Sequence, residues 1–392
     1  LKVLIVNTLY QPFKVGGAEI SVQTIAEGLY KRGIDVAILT LGKNEEEVYV
    51  NKIPVYRLAL KNVFWPFDQV DQSKVKKLKW HFTDIYNKKY NTSFLKIINE
   101  FDPDIIHTNN LMGFSVSIWD IAKSKGIKVV HTLRDYYLQC PKTNKFKNDN
   151  CEKQCMECVC FSVIKKTKSQ SVDSVVGISN FILKDHLDKG YFKPSAKKVI
   201  YNGFDTTKEI SLKSNFKNQT FLKFGFIGQV NKAKGIEILI QVLAGFRDYN
   251  NWKLYIAGRV ESSYKDFLLS FLPDEKVEFM GYVKQETFFN TINVLVVPSL
   301  WEEPFGRVVL EGILSNVPVL GSNKGGIKEI LSNNSKFTFN PLNEDLKNTL
   351  KLIIENPKEL NTFNFDMDYI YRLFSLESMI DQYIKVYEEL KN

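Results

Sequence analysis

Short runs of consecutive apolar residues recur along the chain at 3–6, 105–106, 128–130, 172–178 and 198–200, then again at 221–227, 253–257, 277–279, 294–297 and 318–321. Such runs are expected of strands covered on both faces. Between them the apolar spacing changes to that of a helix. Ile20, Thr24, Ile25, Leu29 and Tyr30 form one such stripe, and Val75, Leu78, Phe82 and Ile85 another; 236–246, 286–291 and 375–390 also read as helices. Strands alternating with helices predict an α/β protein with parallel sheets. The pattern starts twice. A strand, a glycine-bearing loop, a helix and a strand span 3–41, and the same succession returns over 221–257. The intervening stretch, 206–220, is polar and Lys-rich without periodicity and reads as a linker. The expected organisation is therefore a βαβ domain over 1–205, a second over 206–374, and a terminal helix over 375–392. At 392 residues, two domains is also the expectation from length.

Composition narrows the class. A 44% hydrophobic and 25% charged chain is ordinary for a globular protein. No apolar run reaches the ~18 residues that a membrane span needs, and the apolar start at 1–6 is too short for a signal peptide, so a cytoplasmic location is expected. The net charge of +9 admits nucleic acid, an anionic membrane or an anionic small substrate as partner. The Lys residues are dispersed and no nucleic-acid motif is present, which disfavours the first. Residues 71–100 hold seven Lys against three acids. Lys74, Lys76, Lys77 and Lys79 lie among Val75, Leu78, Trp80 and Phe82. A helix of this kind either lies on anionic lipid or turns its apolar stripe to the core.

Candidate chemistry is concentrated in a few places. All five cysteines, Cys140, Cys151, Cys155, Cys158 and Cys160, fall in a Lys-rich stretch of twenty-one residues. Cys140, Cys151, Cys155 and Cys158 could supply a structural zinc site; free thiols or a disulfide clip are the other readings. Asp102-Pro103-Asp104 matches an Asp-x-Asp metal motif, but its Pro reads as a turn leading into a strand. His107 and His131, two of four histidines, are expected at C-terminal strand ends, where open α/β sheets meet ligands. Gly16-Gly17 precedes a helix and could let an anion reach backbone N–H groups, although the Gly-x-Gly-x-x-Gly fingerprint is absent. Lys234-Gly235 opens the corresponding helix of the second half, where a Lys can neutralise phosphate. The most informative stretch runs from the strand at 294–297 through Glu303-Pro304-Phe305-Gly306-Arg307 to Glu311. If the eight residues between the two Glu were all helical, they would stand about 12 Å apart, the reach of a nucleotide-sugar. Spacing alone is equally that of a solvated helix face.

Taken with Gly325-Gly326-Ile327-x-Glu329, Gly16-Gly17-Ala18-Glu19, Gly228…Lys234-Gly235, Asn202-Gly203-Phe204-Asp205 and His131-Thr132-Leu133-Arg134-Asp135-Tyr136-Tyr137, the sequence resembles glycosyltransferase family 4 over nearly its whole length. The resemblance implies a GT-B fold, two Rossmann-like domains facing each other across an interdomain cleft, and retaining, metal-independent transfer from a UDP- or GDP-sugar. By that resemblance Glu311 holds ribose hydroxyls, and Glu303 holds sugar hydroxyls beside the N–H groups of Phe305 and Gly306. Lys234 and Arg307 face the diphosphate, Gly16 and Gly17 close over it, and Val283 with Tyr282 borders the base. His131 approaches the transferred sugar, and His107 lies nearer the acceptor. The terminal helix is expected to cross back to the first domain.

The acceptor implied is a saccharide or polyprenyl-diphosphate-linked saccharide of capsule, lipopolysaccharide or exopolysaccharide synthesis, with the basic 71–100 segment at the membrane face. No catalytic cofactor is implied beyond the nucleotide-sugar substrate. Gln229 departs from the family, which often has Arg there, and weakens diphosphate neutralisation unless Arg307 or Arg259 compensates. That departure leaves open a second reading: a catalytically weak, sugar-nucleotide-binding partner subunit of a transferase complex.

Overall fold

The computed structural model describes residues 1–13, 16–68, 70–205, 220–333 and 335–391. The linker expected at 206–220 lies outside them but for its last residue. Two compact units are present. The first takes Leu1–Lys145, Cys151–Thr206 and Tyr371–Asn392, and the second Phe146–Asn150 and Thr207–Ile370.

In the first unit the strands are β1 (Lys2–Val6), β2 (Asp35–Gly42), β3 (Glu46–Val50), β4 (Ile53–Ala59), β5 (Ile105–Thr108), β6 (Lys128–Leu133), β7 (Ser174–Gly177) and β8 (Ala196–Val199). They form one sheet in the order β3-β4-β2-β1-β5-β6-β7-β8. Every pairing is parallel except β3 with β4, an edge hairpin. Its helices are α1 (Gly17–Lys31), α2 (Lys74–Ile85), α3 (Asn91–Phe101), α4 (Ser117–Ser124), α5 (Met156–Lys168) and α6 (Asn180–Asp188). Val3, Leu4, Ile5 and Val6 are all fully buried, which requires cover on both faces of β1.

The second unit has β9 (Leu222–Ile227), β10 (Trp252–Ala257), β11 (Val277–Gly281), β12 (Val294–Val297), β13 (Val319–Ser322) and β14 (Thr338–Phe339). They pair in parallel in the order β11-β10-β9-β12-β13-β14. Its helices are α7 (Ile236–Ala244), α8 (Ser262–Leu269), α9 (Gln285–Thr291), α10 (Arg307–Leu314), α11 (Gly326–Ile330) and α12 (Asp345–Glu355). Relabelled within the unit, this is the 3-2-1-4-5-6 order of a doubly wound sheet, with its switch point between β9 and β12.

The chain then forms α13 (Met367–Phe374) and α14 (Leu376–Lys391). Met379, Ile380, Tyr383, Val386 and Tyr387 of α14 complete the apolar core around β1, α1 and β2. The oxygen of Tyr387 lies 2.7 Å from Nδ1 of His107, and that of Tyr383 lies 3.1 Å from Oγ1 of Thr132.

Among the described residues, no helix is long and apolar enough to cross a membrane.

Candidate active site

At the switch point of the second sheet, the loops after β9 and β12 lie side by side. The N–H groups of Leu300 and Trp301 both donate to the carbonyl of Ala233, each at 3.0 Å. Gly235 has φ +75°, and a Cβ there would fall 1.8 Å from the carbonyl oxygen of Pro298. The glycine thus answers to both a left-handed backbone and a close approach. Asn231 caps this turn, its side chain accepting from the N–H of Lys234 at 3.2 Å.

This crossing brings Lys234 to Glu303. Their ammonium and carboxylate form an ion pair, Ser299 donates to the same carboxylate at 3.1 Å, and the Lys234 ammonium lies 4.7 Å from the Trp301 ring centroid. Glu303 sits in a loop, since α10 begins only at Arg307; the distance between the two Glu is therefore not that of a continuous helix. The Glu303 backbone is fixed as well. Its carbonyl accepts from Gly326 at 2.8 Å, and Glu302 accepts from the N–H of Gly325 at 2.6 Å. Gly325, at φ +55°, leaves only 2.1 Å between a notional Cβ and the Glu303 carbonyl oxygen.

Gly306 takes φ +90° and starts α10. Phe305 is buried beside it. One turn into the helix, Glu311 accepts from Nε of Arg307 at 2.7 Å. A third pair, Lys324 with Glu302, spans 3.7 Å. Three cations and three carboxylates are thus paired around the ends of β12 and β13. An anionic ligand entering here exchanges with carboxylates already in place, and Lys234 and Arg307 are the cations so held. Gln229 is exposed on the β9 loop, where it accepts from Asn231 at 3.4 Å. Tyr282 is almost wholly exposed, with Val283 half-buried beside it. Ser299 and Trp301 carry no expectation from the sequence, although both sit within a few residues of Glu303.

In the first unit, Gly16 and Gly17 stand at the start of α1, and the Gly16 N–H is taken by the Glu19 carboxylate at 2.9 Å. The two histidines differ from expectation. β5 runs on to Thr108 and β6 to Leu133, so His107 and His131 lie within strands rather than at their ends. His107 is fully buried, its Nε2 2.8 Å from Thr132 Oγ1 and its Nδ1 against Tyr387. Burial above all, then Arg134 and His131, holds its pKa well below the ordinary value. His131 is likewise buried, with Nδ1 2.9 Å from Thr108 and its ring stacked on Phe192. Burial, then His186 and Arg134, lowers its pKa to about 3. Both rings are thus enclosed and hydrogen-bonded within the first sheet. The group that reaches the strand ends is Arg134, which donates to the side chains of Asn109 and Asn202 at 2.8 Å each.

The cysteine stretch is also corrected. Cys158 and Cys160 lie on α5 rather than in a loop. Among the described residues, no three His, Cys, Asp or Glu side chains are placed to hold a metal ion. Burial first, then the neighbouring Cys140 and Cys155, pushes the Cys158 thiol pKa strongly upward. The zinc reading has no support in this arrangement.

Residues 15–208 match the model of the family described as Glycosyltransferase Family 4, and residues 207–364 that of Glycosyl transferases group 1. A protein of Klebsiella pneumoniae, known as an uncharacterized 42.6 kDa protein in the cps region, is 32% identical over 99% of this chain and 100% of its own. The chain belongs to glycosyltransferase family 4.

An uncharacterized glycosyltransferase of Methanocaldococcus jannaschii is 27% identical over 84% of this family 4 chain and 83% of its own. Among solved structures, sucrose-phosphate synthase of Thermosynechococcus elongatus superposes with a TM-score of 0.76 at 18% identity, covering 99% of this chain and 98% of that one. HepE of Anabaena, solved with UDP and glucose, gives 0.70 at 18% identity over 99% of both chains. At such identities the likeness shows the fold, which is GT-B. This family 4 member is accordingly a glycosyltransferase whose two sheets each follow the doubly wound plan.

Proposed function

We propose that the protein is a retaining glycosyltransferase that moves a sugar from a UDP- or GDP-sugar to a saccharide or lipid-linked saccharide in surface polysaccharide synthesis, working in the cytoplasm. The observation that carries this reading is the meeting of Lys234 and Glu303 at the switch point, with Arg307 and Glu311 one helical turn away. In this reading the donor diphosphate draws Lys234 and Arg307 from their carboxylates. Glu303 is then released to the sugar hydroxyls and Glu311 to the ribose. Phe305 and Gly306 present N–H groups at the start of α10, where an anion is favoured. Val283 borders the base; in the first unit, Gly16 and Gly17 stand at another helix start of the same kind. Departure of the diphosphate is then assisted by fixed cations and N–H donors, without a catalytic metal. The names of relatives agree with this reading: one lies in a cps region, and a structural neighbour is solved with UDP and glucose.

The test is incubation with a panel of UDP- and GDP-sugars and oligosaccharide or lipid-linked acceptors. Released nucleotide is followed, and the anomeric configuration of the product is read by NMR. Glu311→Ala should mainly weaken donor binding, and Glu303→Ala should mainly slow turnover. No nucleotide release from any donor, together with undiminished nucleotide binding in Glu311→Ala, would refute the assignment. Donor binding without turnover on any acceptor would favour the partner-subunit reading that Gln229 raises.

A further inference from the structure

α5 carries apolar side chains toward water. Met156, Val159, Val163 and Ile164 recur at helical spacing on its outer side, Met156 81% and Val163 55% exposed, while Cys158, Phe161, Ser162 and the ammonium-bearing Lys165 are buried beneath. α2 also has an outward apolar stripe. Val75, Leu78 and Phe82 point outward, at 76%, 49% and 57% exposure, while Trp80, Asp84 and Ile85 face in. Of the stripe Val75, Leu78, Phe82 and Ile85, the last packs on the core and the other three do not. The two helices are neighbours: the ring of Phe82, on the α2 stripe, lies 5.1 Å from that of Phe161, which is buried on the inner side of α5.

Lys74, Lys76, Lys77 and Lys79 are all exposed on α2, with Lys77 paired to Asp71 at 2.6 Å; Lys166 is exposed on α5. Glu152 and Glu157 are the acids close by in sequence, both exposed at the start of α5. Outward apolar groups and a surrounding excess of ammonium groups describe a surface complementary to lipid tails beneath anionic headgroups.

We propose that α2 and α5 together form a docking face for an anionic lipid bilayer, with Met156, Val159, Val163, Val75, Leu78 and Phe82 entering the headgroup boundary and the α2 lysines holding the headgroups. The proposal stands on the first unit alone and does not depend on the donor reading. It exceeds a single basic helix, because half of the apolar surface comes from α5, where the sequence places only one acid and three lysines.

The test is co-sedimentation of the whole protein with phosphatidylcholine vesicles, with and without phosphatidylglycerol. Binding is expected with phosphatidylglycerol and should weaken with salt. Replacing Lys74, Lys76 and Lys79 by Gln should lower the partition coefficient on the order of a hundredfold, at roughly fivefold per charge. Met156→Ser with Val163→Ser, which touches no lysine, should lower it by roughly tenfold or more. Circular dichroism checks that both remain folded; the lysine variant alters no packed side chain. Absence of wild-type binding to anionic vesicles, or unchanged binding in the Met156/Val163 variant, would overturn the proposal. So would light scattering that shows a dimer which this variant dissociates, since the face would then belong to a second copy.

Discussion

Gly325→Ala offers a direct measure of how tightly the Glu303 backbone is held. At φ +55° and ψ −137° the backbone lies in a region that favours glycine, and an Ala there carries strain of about 1–2 kcal/mol or more. Its Cβ would also stand 2.1 Å from the Glu303 carbonyl oxygen and 2.6 Å from the Glu303 nitrogen, so that peptide must move by more than about 1 Å to restore ordinary contact. The movement breaks the 2.8 Å bond from Gly326 and costs about 1–3 kcal/mol as overpacking. A total loss of about 2–5 kcal/mol follows, a fall of roughly 5–15 °C in the melting of the second unit. Gly281 supplies the control. It has φ +66° with nothing within 4 Å of a notional Cβ, so Gly281→Ala reports a positive-φ substitution without the clash. Scanning calorimetry of both variants compares the two. On the functional side, a shift of about 1 Å in Glu303 should lower turnover by roughly a hundredfold, followed as nucleotide release. Equal melting temperatures and equal turnover in the two variants would refute the argument that this contact positions Glu303.

Two further outcomes are expected. Lys165 and Asp84 are both fully buried, 4.0 Å apart, with Asp84 raised to about 7 and Lys165 lowered to about 8, each chiefly by burial. Because the folded Asp84 pKa exceeds its unfolded value of 3.8, its contribution to stability is full below about pH 4 and is lost as pH rises through about 7. Lys165→Met should therefore cost about 1–2 kcal/mol more at pH 8 than at pH 5, because Asp84 is already protonated at pH 5 and must take up a proton at pH 8 once its partner is gone; parallel denaturant titrations at the two pH values check this. Tyr387→Phe should cost about 1–3 kcal/mol by stranding the buried Nδ1 of His107, read from denaturant midpoints, with little change in nucleotide release if His107 is a packing residue.

The fold was legible where one period dominated. The run at 294–297 coincides with β12, and the second βαβ start at 221–257 became β9, α7 and β10. β3 and β4 escaped because an edge hairpin alternates with polar residues and ends no buried run; three of the five β3 positions are exposed. α5 escaped because its cysteines and lysines masked a stripe that faces outward, against the usual rule. At the site, the sequence pointed to Lys234, Glu303, Arg307 and Glu311, and the structure pairs them. Which cation would meet which carboxylate was not legible, because it depends on two loops from strands adjacent in space and far apart in sequence. His107 and His131 were misplaced for a related reason: a polar residue at the end of an apolar run looks like a strand end. Here Thr108, Thr132, Trp119 and Tyr387 instead satisfy and enclose both rings inside the sheet.

The placement of α14 bears on how the protein is made. The core around β1 lacks Met379, Ile380, Tyr383, Val386 and Tyr387 until the chain has passed through residues 207–370 of the second unit. At ~5–20 residues per second, a ribosome takes roughly 10–30 s to cross that interval. Throughout it, the first unit waits with its β1–α1 surface uncovered while the second can already close on its own core. A first half born early but finished last is a natural client for a chaperone, and nascent chains halted before α14 should be selectively open to protease in the first unit.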